Sequence, residues 1–422
     1  MVMGNEEPSG AVREVPSPLP STLLPRESVA KRWLRRGFLR TLSFFRPYRF
    51  PTPHVDRILV IRPDHIGDVL LITPALRLLR HAFPESEITA LVGPWSEAVL
   101  AHNPHIDRIQ TCRFPGFDRA RPQQGLRAYP QLRAYTQLWE EAQRLRGEDY
   151  QLALNLRADF WWGAALAAFA GIPYVWGFNV PECAPFLTHA QPVRDDEHQA
   201  ASNLRLAWAA ANIGAEVEEI GTHLQFDFTA EDEQAAEAIL QAAELPSDAT
   251  RIAIHPGSGA AIKNWAAAGW HAVGAALAED PSVCFLITAG PSERALAQEI
   301  AAGLPQDRTV LAGETSLGVL AALYARCALV MGPDSGPLHL AVAVGTPSVT
   351  LYGASDPVRF GPWGPGERHR TVVSSIPCRH CGYLSLPAKA LPHHPCMQFI
   401  EPAAVTAVAQ ELLAQTVAST RA

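Results

Sequence analysis

From Ile58 onward the apolar positions of this chain fall into short runs, and these alternate with longer stretches of helical spacing. Ile58, Leu59, Val60 and Ile61 make a strand-length run. Behind it Leu70, Leu71, Ala75, Leu78, Leu79 and Ala82 share one helical face. A second strand at 88–92 is closed by Gly93 and Pro94, so the start of the folded region reads as a βαβ unit. Residues 149–156 read as another strand, followed by an Ala-rich helix up to Gly171 and a short strand at 174–177. Between them, 113–133 carries arginines, prolines and glycines without a period and predicts a long surface loop beside the crevice, or a short helical excursion.

A polar stretch at 229–241 and the break Pro246-Ser247-Asp248 separate this half from the next. The second half predicts strands at 251–254, 283–288, 309–311, 328–331 and 348–352. Helices are expected at 266–278, 294–302, 317–326 and 338–344. Alternation this regular implies an α/β fold of two Rossmann-like doubly wound domains facing a central cleft. The expected division is an N-terminal extension at 1–55, a first domain at 56–240, and a second at 241–422 that ends in a C-terminal helix.

Composition sharpens this picture. A chain of 422 residues exceeds the roughly 250–300 at which one core stops growing, so two domains are expected. The net charge of -7 argues against a nucleic-acid partner that depends on overall positive charge. Seven cysteines make no disulfide scaffold, and residues 1–20 lack the apolar core of a secretory signal, which points to a reducing, cytoplasmic compartment. No apolar run reaches the ~18 residues of a spanning helix. Residues 1–26 read as a disordered tail. Residues 31–46 interleave arginines with Trp33, Leu34, Phe38 and Leu42, a pattern that suits an anionic membrane surface. The same pattern arises when those apolar side chains pack on the folded body and the arginines stay solvated.

Candidate chemistry lies at the strand ends, where open α/β sheets bind ligands. The turn Arg62-Pro63-Asp64-His65-Ile66-Gly67-Asp68 puts a carboxylate, Asp68, at the mouth of the first sheet, able to take a proton from an alcohol. Downstream, His255-Pro256-Gly257-Ser258-Gly259 with Lys263 is suited to phosphate, and so is Asp334-Ser335-Gly336-Pro337-Leu338-His339 at the start of a helix. Neither is a P-loop, and no G-x-G-x-x-G follows the first strand of either half. Each residue also has a plain reading. Asp68 and Asp334 could cap their helices, Lys263 could be an ordinary surface lysine, and Trp265 and Trp270 could be core. Cys378, Cys381 and Cys396, with His380, His393 and His394, resemble a zinc site only in part, since no second ligand pair completes the set. Free thiols are expected there, and no metal.

In combination these segments resemble glycosyltransferase family 9, the heptosyltransferases of the lipopolysaccharide core. The matching pieces are 58–62 with 66–71 and 73–76, His255 to Ser258 with Lys263 and Trp265, 289–293, 332–341, and Cys378, Cys381, Cys396 and Met397. The resemblance implies a GT-B fold with the acceptor on the first domain and the nucleotide sugar on the second. It implies inverting transfer without a metal cofactor. Asp68 would then be the general base. Ser258 and Lys263 would hold the diphosphate, and Asp334, Ser335, Gly336, Pro337 and His339 would meet sugar and diphosphate. Gly290 and Glu293 would lie by the nucleoside, and Arg62, His65 and Gly67 by the acceptor. The implied partners are ADP-heptose and a glycolipid acceptor, and a peripheral contact with the cytoplasmic face of the inner membrane stays open.

Two departures bear on the substrates. Pro63-Asp64-His65 adds a second acid and an imidazole near Asp68, and 257–261 is less polar than in heptosyltransferases, which leaves a different donor open. Two other readings also stay open: a non-catalytic nucleotide-sugar-binding protein and a nucleotide-sugar 2-epimerase.

Overall fold

The structure is a computed structural model that describes residues 28–47, 49–50, 54–118, 130–212, 220–246, 248–384, 386 and 388–421. The tail expected at 1–26, and 119–129 of the loop expected at 113–133, lie outside the described residues.

Among the described residues the chain forms two six-stranded sheets. The first is built from β1 (Arg57–Arg62), β2 (Glu87–Val92), β3 (Arg108–Thr111), β4 (Leu152–Asn155), β5 (Tyr174–Phe178) and β6 (His189–Gln191). Every pairing in it is parallel, in the order β3-β2-β1-β4-β5-β6. The second contains β7 (Thr250–Ile254), β8 (Val283–Ile287), β9 (Thr309–Leu311), β10 (Leu329–Pro333), β11 (Ser348–Tyr352) and β12 (His369–Val373). Its order, β12-β11-β10-β7-β8-β9, repeats the first sheet's, and its pairings are also parallel. Parallel strands need crossover connections and are covered on both faces, which is why β1 reads as an unbroken apolar run.

The helices are α1 (Val29–Ser43), α2 (Ile66–Leu70), α3 (Thr73–Ala82), α4 (Pro130–Arg146), α5 (Trp161–Phe169), α6 (Gln199–Ala211) and α7 (Ala230–Ala242). They continue with α8 (Ala267–Leu277), α9 (Arg294–Ala302), α10 (Leu317–Ala325), α11 (Gly336–Ala343), α12 (Pro357–Phe360) and α13 (Pro402–Arg421). The helix expected after β1 is split into α2 and α3. Pro74 sits in the first turn of α3, where its missing N–H costs nothing, and the Thr73 hydroxyl donates to the Leu70 carbonyl at 2.8 Å. The polar stretch 229–241, read as a break, is α7, started by a capping box between Thr229 and Asp232. α7 packs on α10 of the second half. α13 adds Val405, Ala409 and Leu412 to the core over the second sheet.

The two halves meet where α2 touches α11. Each helix has a glycine in its first turn. A Cβ on Gly336 would stand 3.0 Å from Ile66 Cβ and 3.2 Å from Gly67 N, and one on Gly67 would stand 2.8 Å from His339 Cδ2. Val69 and Leu70 of α2 and Leu338 and Leu340 of α11 join one apolar cluster that includes Ile58 and Val330 of the two sheets. A second contact lies apart in sequence. The His198 ring stacks on Trp363 with centroids 4.7 Å apart, and Trp363 Nε1 donates to the Thr222 carbonyl at 2.7 Å. His198 Nδ1 accepts from Ala200 N–H, which assigns its proton to Nε2, the donor to the Gly361 carbonyl at 3.0 Å. Burial holds this ring's pKa down at about 4, so it stays neutral.

α1 lies on the first half. Leu39 is fully buried, Leu42 packs on the same cluster, and Arg36 Nε pairs with Glu182 at 2.9 Å. The reading that packs this face on the body holds for Leu42 and is corrected for Trp33 and Leu34, which are exposed, and for Phe38, which is half-exposed; Leu39 is the buried anchor instead.

Gly336→Val should overpack the α2–α11 contact and cost about 1–3 kcal/mol. Urea unfolding of the full chain measures this, and an unchanged midpoint would mean that the two helices do not press together there.

Candidate active site

A cleft of about 1910 Å³ runs between the halves, larger than the ~300–1,000 Å³ of a typical small-molecule pocket and roomy enough for two substrates. It lies over the strand ends. Arg62 closes β1, Arg157 follows β4, His255 follows β7, and Asp334 follows β10. β1 beside β4 and β7 beside β10 are the points where each sheet's strand order reverses, the usual ligand crevice of such folds. The residues assigned to base, donor and acceptor roles all line this one cleft: Arg62, His65, Gly67 and Asp68 from the first half, and Ser258, Lys263, Gly290, Glu293, Asp334, Ser335, Gly336, Pro337 and His339 from the second.

On the first wall, Asp68 sits in the first turn of α2 with its side chain 33% exposed to the cleft. It does not cap the helix, whose N-cap is His65 with no side-chain cap bond. Its Oδ1 accepts from Arg62 Nη2 at 3.1 Å. The Arg62 guanidinium is buried, and it also donates to the Leu156 carbonyl at 2.5 Å and pairs through Nε with Asp64 Oδ2 at 2.7 Å. Asp64 meets Arg157 as well, and the Arg157 guanidinium lies 5.1 Å over the Phe117 ring. Asp64 is therefore no second base open to substrate. Burial pushes its carboxyl up, Arg62 opposes that, Asp68 adds to it, and Arg157 opposes it again. His65 tilts against Trp95 with ring centroids 5.6 Å apart.

On the second wall, Lys263 is mostly buried rather than a surface lysine, and its Nζ donates to Asp334 Oδ2 at 3.2 Å. Asp334 does not cap α11 either, since Ser335 holds that place without a side-chain cap bond. Burial works to raise the Asp334 carboxyl, but Lys263 and His339, whose Nε2 lies 3.7 Å from Oδ1, outweigh it and hold it well below the usual range. The Ser258 hydroxyl lies 2.7 Å from the Ala260 carbonyl and 2.9 Å from Asn264 Oδ1, closing the loop that carries Lys263. Glu293 Oε2 accepts from Gly290 N at 2.9 Å and lies 3.3 Å from His255 Nε2; the His255 contact lowers its pKa. Behind it the chain of contacts runs from His255 Nδ1 to the Thr288 hydroxyl at 3.0 Å and on to the Tyr324 hydroxyl at 2.9 Å.

Trp265 and Trp270 are core, packed edge to face. Cys378 and Cys381 are exposed and Cys396 is buried. Burial first, and then the two neighbouring thiols, raise Cys396 to about 11. Among the described residues no group of three or more His, Cys, Asp or Glu side chains is placed to hold a metal ion.

The pattern of Glycosyltransferase family 9 (heptosyltransferase) matches residues 138–384, more than half of the chain. The chain belongs to glycosyltransferase family 9. It is 24% identical over 308 residues to the lipopolysaccharide core heptosyltransferase OpsX of Haemophilus influenzae, covering 72% of this chain and 81% of that one. In structure it is similar to the family 9 glycosyltransferase of Veillonella parvula, with TM-score 0.68, 22% identity, 87% of this chain and 100% of that one. It is also similar to the E. coli ADP-heptose lipopolysaccharide heptosyltransferase II, with TM-score 0.63, 21% identity, 85% of this chain and 99% of that one. This family 9 glycosyltransferase thus has the GT-B architecture of two facing parallel-sheet halves.

Sequence reasoning missed two parts of the family 9 cleft. One is Arg157, whose signal was its place just past the end of β4, at the same switch point as Arg62. The other is the wall made by α4, where Gln137, Glu140 and Glu141 face the cleft just beyond the stretch 113–133 expected to be a loop or a short helical excursion.

Arg62→Met should cost about 3–5 kcal/mol, because it leaves the buried Asp64 with one cation fewer. The loss should depend on pH. A carboxyl whose folded pKa lies above its unfolded value binds a proton more tightly when folded, so stability falls as pH rises, and removing Arg62 raises Asp64 further. The deficit against wild type is then largest near neutral pH and shrinks toward acid. Urea unfolding at both ends tests it, and equal deficits would contradict the account.

Proposed function

We propose that this enzyme moves a heptose from ADP-heptose, with inversion, onto a lipopolysaccharide core or related lipid-linked glycan on the cytoplasmic face of the inner membrane. The observation that carries the reading is the placement of Asp68 next to Gly67, which touches the start of α11. A carboxylate one-third exposed thereby stands at the edge of a helix N-terminus from the other half, a place suited to an anion. The relatives' names support the sugar and acceptor.

In this reading Asp68 takes the proton of the acceptor hydroxyl as that oxygen attacks the anomeric carbon. The C–O bond to the nucleotide diphosphate breaks on the opposite face, so a single displacement inverts the configuration. Arg62 fixes the carboxylate's orientation from below. The leaving diphosphate gains negative charge and is met by Lys263 and by the N–H group of Gly336 at the start of α11, without a metal. Pro337, which has no N–H, sets the first helical turn after it. Asp334 and His339 hold Lys263 and the helix start in place, and Ser258 keeps the loop closed. Glu293, anchored on Gly290, faces the nucleoside ribose. His65 and Arg62 border the acceptor.

Asp68→Asn should lower transfer by about 10²–10⁴ while leaving nucleotide binding intact. Unchanged turnover on an ADP-heptose donor would remove Asp68 from the role of base. Thermal shift with ADP, GDP, UDP and CDP tests the donor, since a ligand at 100 times its dissociation constant stabilises by about 2.7 kcal/mol. ADP should be selected and the shift should be lost in Lys263→Ala. Preference for another nucleotide would overturn the donor assignment.

A further inference from the structure

Helix α1 presents to the outside what a helix usually hides. Its inward contact is Leu39 with Leu42, fixed by Arg36 on Glu182. At about 100° per residue, Leu34 and Phe44 lie about 140° and Trp33 about 120° round the axis from Leu39. Those three are 74%, 79% and 69% exposed, and Phe45 just beyond is 74% exposed. The bulkiest apolar side chains of α1 therefore point away from the core.

Charge says what covers them. Between residues 28 and 50 there are seven basic residues and no acidic one, in a chain whose net charge is -7. Lys31, Arg32, Arg40 and Arg46 are exposed around the apolar patch. An apolar centre ringed by cations fits the headgroup zone of an anionic bilayer, where rings enter the acyl boundary and cations meet phosphates. No helix among the described residues is long and apolar enough to cross a membrane, so the fit is to its surface.

The patch also borders the cleft. The Phe38 ring meets Tyr135 of α4 edge-on at 5.4 Å, and the next residues of α4, Thr136 and Gln137, line the cleft on the Asp68 side. We infer that α1 is a docking helix for an anionic lipid surface, held rigidly so that the acceptor wall faces the membrane. The inference rests on the glycolipid-acceptor reading for its purpose, but lipid binding itself requires no transfer.

The test is co-sedimentation of the full chain, without donor or acceptor, with vesicles of phosphatidylcholine alone or mixed with phosphatidylglycerol. Wild type should bind the mixed vesicles and release in high salt. Binding should fall about fivefold for each basic side chain removed in Arg40→Gln and Arg46→Gln. It should fall at least about tenfold when Trp33, Phe44 and Phe45 are all changed to Ser. That triple variant should keep the wild-type unfolding midpoint and its turnover on a detergent-dispersed acceptor. No wild-type binding to mixed vesicles, or equal binding by wild type and the triple variant, would overturn the inference. So would a concentration-dependent dimer that only the triple variant lacks, since a second copy would then cover the patch. Failure of transfer with vesicle binding retained would instead overturn only the proposed reaction.

Discussion

The contact of Gly67 with the start of α11 at Gly336 sets the distance between the two walls of the cleft. With no Cβ on either side, two helix N-termini from different halves approach to backbone contact. Asp68 and Ser335 stand one residue away on each side, so their relation is fixed by main chain rather than by flexible side chains. The core continues through this contact from Ile58 to Val330, which resists its being pulled apart. What the site can do chemically follows from that shared floor.

Around this floor, charge is deployed in pairs. Arg62 is shared between a buried acid and an exposed one, so it holds Asp68 in orientation while the carboxylate remains open to the cleft. Lys263 is paired with Asp334, which holds the ammonium at the helix start and lets an incoming phosphate compete for it. In both groups one partner is buried for rigidity and another faces the cleft for chemistry. A lone charge at either place would cost more to bury and would be less well aimed.

The second half was legible almost element by element, because parallel strands buried on both faces leave unbroken apolar runs. The strand-end segments 255–263 and 334–339 could be singled out for the same reason: glycine, proline and charge just past a strand have few other uses. Less could be read where tertiary context decides. β3, β6 and β12 are short or partly exposed at the sheet edges, and their sequences carry no apolar run. α4 does carry a helical period in its buried Leu138, Ala142 and Leu145, but it begins within a stretch of arginines, prolines and glycines that hides its start. Asp64 read only as a second acid near Asp68. Its burial between two arginines from separate strand ends could be known only once β1 and β4 were adjacent. Trp33 and Leu34 fitted either a membrane surface or the folded body, because apolar periodicity does not say which side of a helix meets the body.

The neutral His198 has a consequence for the contact between the halves. A ring that keeps its proton on Nε2 alone serves both as acceptor for Ala200 and as donor to Gly361. A second proton would set two N–H groups against each other and break the arrangement. With its pKa held at about 4, the ring does not take that proton near neutrality. This seam between the halves therefore keeps both hydrogen bonds at any pH well above 4.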